Sequence, residues 1–315
     1  MLLIGDIGGT KTNLALFETK RPLSLIREET FPSANYGGLR EIIDQFLAKE
    51  EKVEAACFGI AGPVRQGRVV ATNLPWVIDQ KQLQEKLHID QVYLLNDLEA
   101  NAYGICTLGE EEFFVLNKGE KGVIGNQALI SAGTGLGQAG LFFDGKTHIP
   151  FACEGGHTDF APRNQQEIDL LLFAQKKFGH VSYERILSGP GFPLLHEFLH
   201  KKEIDFGTDD PAKVITEKAS TDPICKEVMR LFVSIYGAEA GNLALKFLPF
   251  SGIYIGGGIA PKILDHTKKG AFMEAFVDKG RFNELLSSIP VKVILNDKTA
   301  LLGACEYALR KVDGK

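Results

Sequence analysis

Several things are scarce in this 315-residue chain. The longest apolar stretches fall far short of the ~20 residues that a membrane-spanning helix needs. Met1-Leu2-Leu3-Ile4 is too short, and too soon interrupted by Asp6, to serve as a signal peptide. Lysine and arginine never form a dense run; Lys201-Lys202 and Lys268-Lys269 are only pairs. With 35 basic against 40 acidic residues the net charge is −5, which argues against nucleic acid as a partner. The five cysteines (Cys57, Cys106, Cys153, Cys225 and Cys305) are odd in number and scattered, with no Cys-x-x-Cys pair. That pattern excludes a disulfide framework and suits free thiols in a reducing cytoplasm. No low-complexity linker interrupts the chain.

What is present is an ordinary globular composition, in a length that usually makes two domains. Leu2–Ile7, Asn13–Glu18 and Ser24–Phe31 read as three strands joined by short turns. A helix over Leu39–Leu47 follows, with apolar residues at helical spacing. Next come a strand at Val53–Ile60, a helix at Lys81–Leu87, a strand at Val92–Leu95 and a helix at Asp97–Ile105. The second half repeats this opening with strands at Gln127–Ala132, Gly137–Phe143 and His148–Ala152. Helices follow over Gln165–Phe178, Tyr183–Leu187, Gly191–Leu199, Pro211–Ala219 and roughly Pro223–Phe247. Strands at Gly252–Ile255 and Val291–Leu295 precede a last helix over Thr299–Lys311. The order calls for mixed sheets with helical crossovers, an α/β fold. The charged, glycine-containing stretch Glu110–Gly122 is the best boundary. The expected domains are 1–109 plus 298–315, with the last helix packing back, and 110–297.

Two glycine turns open the two halves: Asp6-Ile7-Gly8-Gly9-Thr10 and Gly133-Thr134-Gly135-Leu136-Gly137. Each follows a strand, exposes backbone N–H groups and adds a threonine hydroxyl, a combination that suits phosphate. A simple hairpin turn is the plainer reading of either alone. Asp6 is either a cap of its own turn or a contact to Mg²⁺ on a nucleotide phosphate, since Mg²⁺ takes one or two carboxylates and keeps several waters. Asn96-Asp97 ends an apolar strand. It is either a helix cap or, at the carboxyl end of a sheet strand, a place for a general base. Glu154-Gly155-Gly156-His157-Thr158-Asp159, with Glu184 further on, suits the vicinal hydroxyls of a sugar; a charged surface turn is the alternative. Cys153 and His157 are too few to complete a zinc tetrahedron, so no structural metal is expected. Gly256-Gly257-Gly258 follows a strand, precedes a helix expected to begin near Ala260-Pro261, and serves either close packing or the approach of a flat ligand.

Together these segments resemble the bacterial ATP-dependent glucokinases. The motifs Asp6–Thr10, Leu95-Asn96-Asp97, Gly133–Gly137, Glu154–Phe160, Glu184-Arg185-Ile186-Leu187-Ser188-Gly189-Pro190-Gly191, Gly256–Ile259 and Asp278-Lys279-Gly280-Arg281-Phe282 come in that family's order over nearly the whole chain. The resemblance implies the actin-like ATPase (ribonuclease H-like) fold, two related α/β domains around a cleft. It implies transfer of the ATP γ-phosphate to D-glucose, with Mg²⁺, in a cytoplasmic homodimer. Asp97 matches the catalytic base, and Asn96, Glu154, His157 and Glu184 match the sugar ligands. Asp6, Gly8, Gly9 and Thr10, with Gly133, Thr134 and Gly135, match the phosphate binders; Gly256, Gly257 and Gly258 match the adenosine-side loop. Lys11 departs from close relatives that carry Asn, and matches the wider group of repressors, open-reading-frame proteins and sugar kinases. The zinc cysteines of that wider group have no counterpart, since the next cysteine after Cys153 is Cys225.

Rival readings are a kinase for another hexose or one using polyphosphate, a sugar-responsive repressor on the same fold, and an actin-like filament protein. A repressor's helix-turn-helix usually precedes the first phosphate loop, which here starts at residue 6. A filament has no use for Glu154, His157 and Glu184.

Overall fold

The computed structural model describes residues 1–48, 51–72, 74–202, 206, 207 and 209–314. These divide into two compact units, Met1–Glu110 with Asn296–Lys315, and Glu111–Leu295.

The first unit is built on β1 (Leu2–Ile7), β2 (Lys11–Phe17), β3 (Leu25–Pro32), α1 (Leu39–Phe46) and β4 (Ala55–Ile60). The short β5 (Arg68–Val70) and β6 (Val77–Asp79), α2 (Gln80–Leu87), β7 (Val92–Asn96) and α3 (Asp97–Ile105) complete its first part. Its sheet runs β3-β2-β1-β4-β7, while β5 and β6 pair as a separate ribbon. β1 is antiparallel to β2 and parallel to β4, which is parallel to β7. The parallel strands β1 and β4 are buried on both faces, as the apolar runs Leu2-Leu3-Ile4 and Ala55–Ile60 require. One face is covered by α1, which buries Leu39, Ile42, Ile43 and Phe46 with Leu3, Leu14 and Phe58 of the sheet. The other face is covered by α3 and the C-terminal helix Thr299–Val312, whose Leu301, Ala304, Cys305, Ala308 and Leu309 join Leu2, Ile4 and Cys57.

Those two helices approach through small residues. A Cβ placed on Gly303 would lie 1.8 Å from the Ala100 carbonyl oxygen, and one on Gly104 would lie 2.0 Å from that of Thr299. Two opposing effects decide the outcome of Gly303→Ala. Helix propensity favours alanine by about 1 kcal/mol. The overlap is with backbone that cannot rotate away, and overpacking costs roughly 1–3 kcal/mol or more. The variant is expected to be less stable, with a Tm several degrees lower by calorimetry. A Tm equal to or above that of the unsubstituted protein would show that the helices separate at little cost.

The second unit repeats the topology. β8 (Phe113–Asn117), β9 (Gln127–Ala132), β10 (Leu136–Phe143) and β11 (His148–Cys153) come first. They are followed by α4 (Gln165–Phe178), α5 (Tyr183–Ile186), α6 (Gly191–His200), α7 (Pro211–Lys218) and the long α8 (Pro223–Phe247). Then come β12 (Ile253–Gly256), α9 (Leu264–Thr267), α10 (Ala271–Val277), α11 (Asn283–Ser287) and β13 (Val291–Ile294). The sheet order is β11-β10-β9-β12-β13-β8. β9, β10 and β11 stand to β12 and β13 as β1, β2 and β3 stand to β4 and β7. β8 adds an antiparallel edge. Its core gathers Leu129's neighbours Ala128 and Ile130 with Val228, Phe232 and Tyr236 of α8 and Phe272 and Phe276 of α10.

The sequence reading of elements needs three corrections. The stretch Glu110–Gly122 contains strand β8, whose Phe114 and Leu116 pack on the core. The run after β12 is a turn through Ile263; its helix begins at Leu264, not near Ala260-Pro261, because Gly257 takes a left-handed φ of 83° and the chain folds back. The ribbon of β5 and β6 lies in the stretch 61–80, to which the sequence reading assigns no element. Among the described residues no helix is long and apolar enough to cross a membrane.

Candidate active site

In the first unit the predicted residues lie at the carboxyl ends of the parallel strands. Asp6 pairs with Gly59 of β4, and Ile60 pairs with Asn96, so Asp6 and Asn96 share one edge of the sheet. The Gly8-Gly9 turn closes with Gly8 N–H donating to the Lys11 carbonyl (3.0 Å). It is held from behind by Ser33, a residue the sequence did not single out. Ser33 Oγ donates to the Gly8 carbonyl (2.8 Å) and its N–H to that of Thr10 (3.1 Å). Thr10 and Lys11 are exposed beyond it. Burial pushes the Asp6 pKa up, opposed by the Lys11 charge and a hydrogen bond with Asn13. A carboxyl in that position gains from a nearby cation, and its hard oxygen suits Mg²⁺.

Asn96 is an N-cap as well as a strand end. Its Oδ1 accepts from Leu98 N–H (2.9 Å) and Glu99 N–H (3.3 Å), while Nδ2 donates to the Gly62 carbonyl (3.2 Å). One of its two amide protons remains for a ligand. Asp97 is the first residue of α3, and its Oδ1 accepts from Leu98 N–H (3.0 Å).

The second unit brings three predicted groups together. The Gly133–Gly137 turn joins β9 to β10, with Gly133 N–H donating to Gly135 O (2.8 Å) and Gly189 N–H to Gly133 O (2.8 Å). Glu184, at the start of α5, lies on this turn: Oε2 accepts from Leu136 N–H at 2.9 Å, and a Cβ on Gly135 would lie 2.5 Å from it. Glu154 and His157 flank the helical turn Gly155–His157. His157 Nδ1 stands 3.8 Å from Glu184 Oε1, and Nε2 stands 4.0 Å from Glu154 Oε2. These gaps exceed hydrogen-bond length, so the three polar ends converge without satisfying one another, which is what a ligand with several hydroxyls requires. Gly257 brings the third group. A Cβ there would lie 2.2 Å from the Ala132 carbonyl, directly before Gly133, while Gly258 faces open space. Asp159 goes elsewhere, to an exposed pair with His180 at 2.7 Å.

No cluster of three His, Cys, Asp or Glu side chains able to hold a metal ion occurs among the described residues. Cys153 Sγ donates instead to the Gln138 carbonyl at 3.5 Å.

Comparison with known proteins bears directly on these residues. The family model described as Glucokinase matches residues 3–311. This chain belongs to the glucokinase family. Its curated relatives include the glucokinase of Nostoc punctiforme, 40% identical over 98% of this chain and 99% of the relative. That of Synechocystis is 41% identical over 97% of each. Among solved structures, a glucokinase from an Antarctic psychrotroph superposes with a TM-score of 0.85 at 29% identity, covering 98% of both chains. A glucokinase of the wider repressor and kinase group from Streptomyces griseus, solved with glucose and AMPPNP, is 20% identical with a TM-score of 0.64 over 97% and 98% of the two chains. The fold is thus the actin-like ATPase fold of the sugar kinases, and the repeated strand order of the two units is its signature.

Proposed function

We propose that the chain is an ATP:D-glucose 6-phosphotransferase. The observation that carries this reading is the convergence of Glu154, His157 and Glu184 beside the Gly133–Gly137 turn, in a chain of the glucokinase family. Phosphoryl transfer asks a protein mainly for positioning and charge stabilisation. Glu154, His157, Glu184 and the remaining Asn96 amide proton hold the sugar hydroxyls. Asp97 accepts the proton of the 6-hydroxyl as its oxygen attacks the γ-phosphorus and the bond to the β-phosphate oxygen breaks. Gly8, Gly9 and Thr10 in one unit, and Gly133, Thr134 and Gly135 in the other, offer N–H and hydroxyl donors to the phosphates. Gly256, Gly257 and Gly258 admit the adenosine. Asp6 would hold Mg²⁺, which would supply charge neutralisation on the phosphates. The two units act as the two domains of the kinase, and excluding water from the bound sugar prevents wasteful ATP hydrolysis.

Family resemblance also supports a homodimer, and the free thiols a cytoplasmic setting; light scattering on the purified chain reads the first, and fractionation of the source cells the second. The test of activity is ADP release over a panel of hexoses and phosphate donors. ADP is expected with glucose, with kcat/KM for galactose and fructose lower by roughly 10-fold or more, because a missing or inverted hydroxyl leaves a buried polar group unpaired. ATP consumption that ignores glucose, or equal use of all three sugars, would overturn the assignment.

A further inference from the structure

Beneath the sugar-holding residues of the second unit lies a polar network that the reaction as described does not use. Its centre is Glu239, in the middle of α8 and fully buried. Glu239 Oε1 accepts from Gln138 Nε2 at 2.8 Å, and Oε2 accepts from Asn242 Nδ2 at 2.9 Å. Asn242 Nδ2 also donates to the Tyr183 hydroxyl at 2.9 Å, and its Oδ1 accepts from Lys279 Nζ at 2.6 Å. Asn242 therefore uses its whole amide, and its orientation is set by the Lys279 ammonium on one side and the Glu239 carboxylate on the other.

Both arms of the network end at the site. Gln138 is buried on β10 opposite Cys153, and its Oε1 fills the space where a Cβ of Gly155 would stand, 2.0 Å away. Gly155 follows Glu154. Tyr183 precedes Glu184, and its N–H donates to the Thr158 carbonyl at 3.1 Å, tying α5 to the end of the Glu154–Thr158 loop. A carboxylate inside a core is expensive, and an apolar residue of similar size would fill the place at lower cost. Burial pushes the Glu239 pKa up, while the two amides and the charges of Lys246 and Lys279 oppose it.

We propose that Glu239 is a positioning residue for the sugar side of the site: through Gln138 it sets Gly155 and with it Glu154, and through Asn242 and Tyr183 it sets Glu184. The inference rests on the reading of Glu154 and Glu184 as sugar ligands. Substrate specificity in this chain is thereby tied to a donor–acceptor pattern one layer behind the contact residues.

The experiment measures glucose Kd by calorimetry, together with KM for glucose and for ATP. Glu239→Gln keeps the shape but turns one amide donor toward another donor. It is expected to raise glucose Kd and KM about tenfold, with KM for ATP changed less than about twofold. The exchange Gln138→Glu with Glu239→Gln restores a donor facing an acceptor, and is expected to return glucose Kd to within about threefold of the unsubstituted protein. If Glu239→Gln yields no soluble protein, Gln138→Met, which removes the donor and leaves the carboxylate, is read in its place with the same expectation. Unchanged glucose Kd, an equal rise in KM for ATP, or an exchange that recovers nothing would each overturn the positioning role. Failure of the unsubstituted protein to bind glucose would instead sink the kinase reading on which it rests.

Discussion

Asp97→Asn is expected to lower kcat by about 10²–10⁴-fold while glucose binding is retained. Asp97 Oδ1 accepts from Leu98 N–H, and an asparagine oxygen accepts equally well. The cap proper belongs to Asn96, whose Oδ1 takes two amide protons of α3, so the cap stays in place in the variant. What the variant loses is the capacity to take a proton from the attacking hydroxyl. Steady-state kcat and glucose Kd on the same preparation check the prediction. Near-normal turnover would remove Asp97 from the role of base, and a parallel loss of glucose binding would make it a sugar ligand.

Glu184→Gln is the second large effect. Glu184 Oε2 accepts from Leu136 N–H in the Gly133–Gly137 turn, while Oε1 points toward His157. Glutamine keeps the first contact through its carbonyl and replaces the second oxygen by a donor. An ionised acceptor to a sugar hydroxyl is worth about 1.5–3 kcal/mol, so kcat/KM for glucose should fall by roughly 10- to 150-fold, with KM for ATP little changed. Glu184→Ala removes the acceptor of Leu136 N–H as well. It should therefore disturb ATP use in addition to glucose use. If glutamine and alanine affect the two substrates alike, Glu184 serves the fold of the turn and not the sugar. Glu154→Gln is expected to weaken glucose use less, since Glu154 is 63% exposed against 31% for Glu184 and makes no backbone contact of that kind.

Much of the fold was legible because its signals are local. Buried parallel strands such as Ala55–Ile60 read as unbroken apolar runs. The helix starts are fixed locally too, since Asn96, Asn164, Asp210 and Asp222 each accept a first-turn amide proton. The ribbon of Arg68–Val70 and Val77–Asp79 was not legible, since three residues are too few to show alternation. Phe113–Asn117 was hidden by the charges and glycines around it, and its partner, β13, lies far along the chain. The site follows the same division. Glycine turns and the carboxylates beside them announce themselves in sequence. Ser33, which ties down the first turn, and the pair Gln138–Glu239, separated by 101 positions, do not. Nothing in a lone serine, or in a glutamate within an apolar helix, tells which backbone it will meet.

The return of the C-terminal helix to the first unit has a consequence for biosynthesis. The sheet face formed by Leu2, Ile4 and Cys57 is covered by Leu301, Ala304, Cys305, Ala308 and Leu309. Those residues emerge from the ribosome after the whole of the second unit. The second unit, continuous from Glu111 to Leu295, has all its strands before the first unit has its final helix. At ordinary elongation rates of ~5–20 residues per second, the nascent chain carries an uncovered apolar sheet face for on the order of ten seconds or more. The sheet of the first unit is thus made before the second unit and covered after it, which leaves its apolar face open to aggregation throughout that interval.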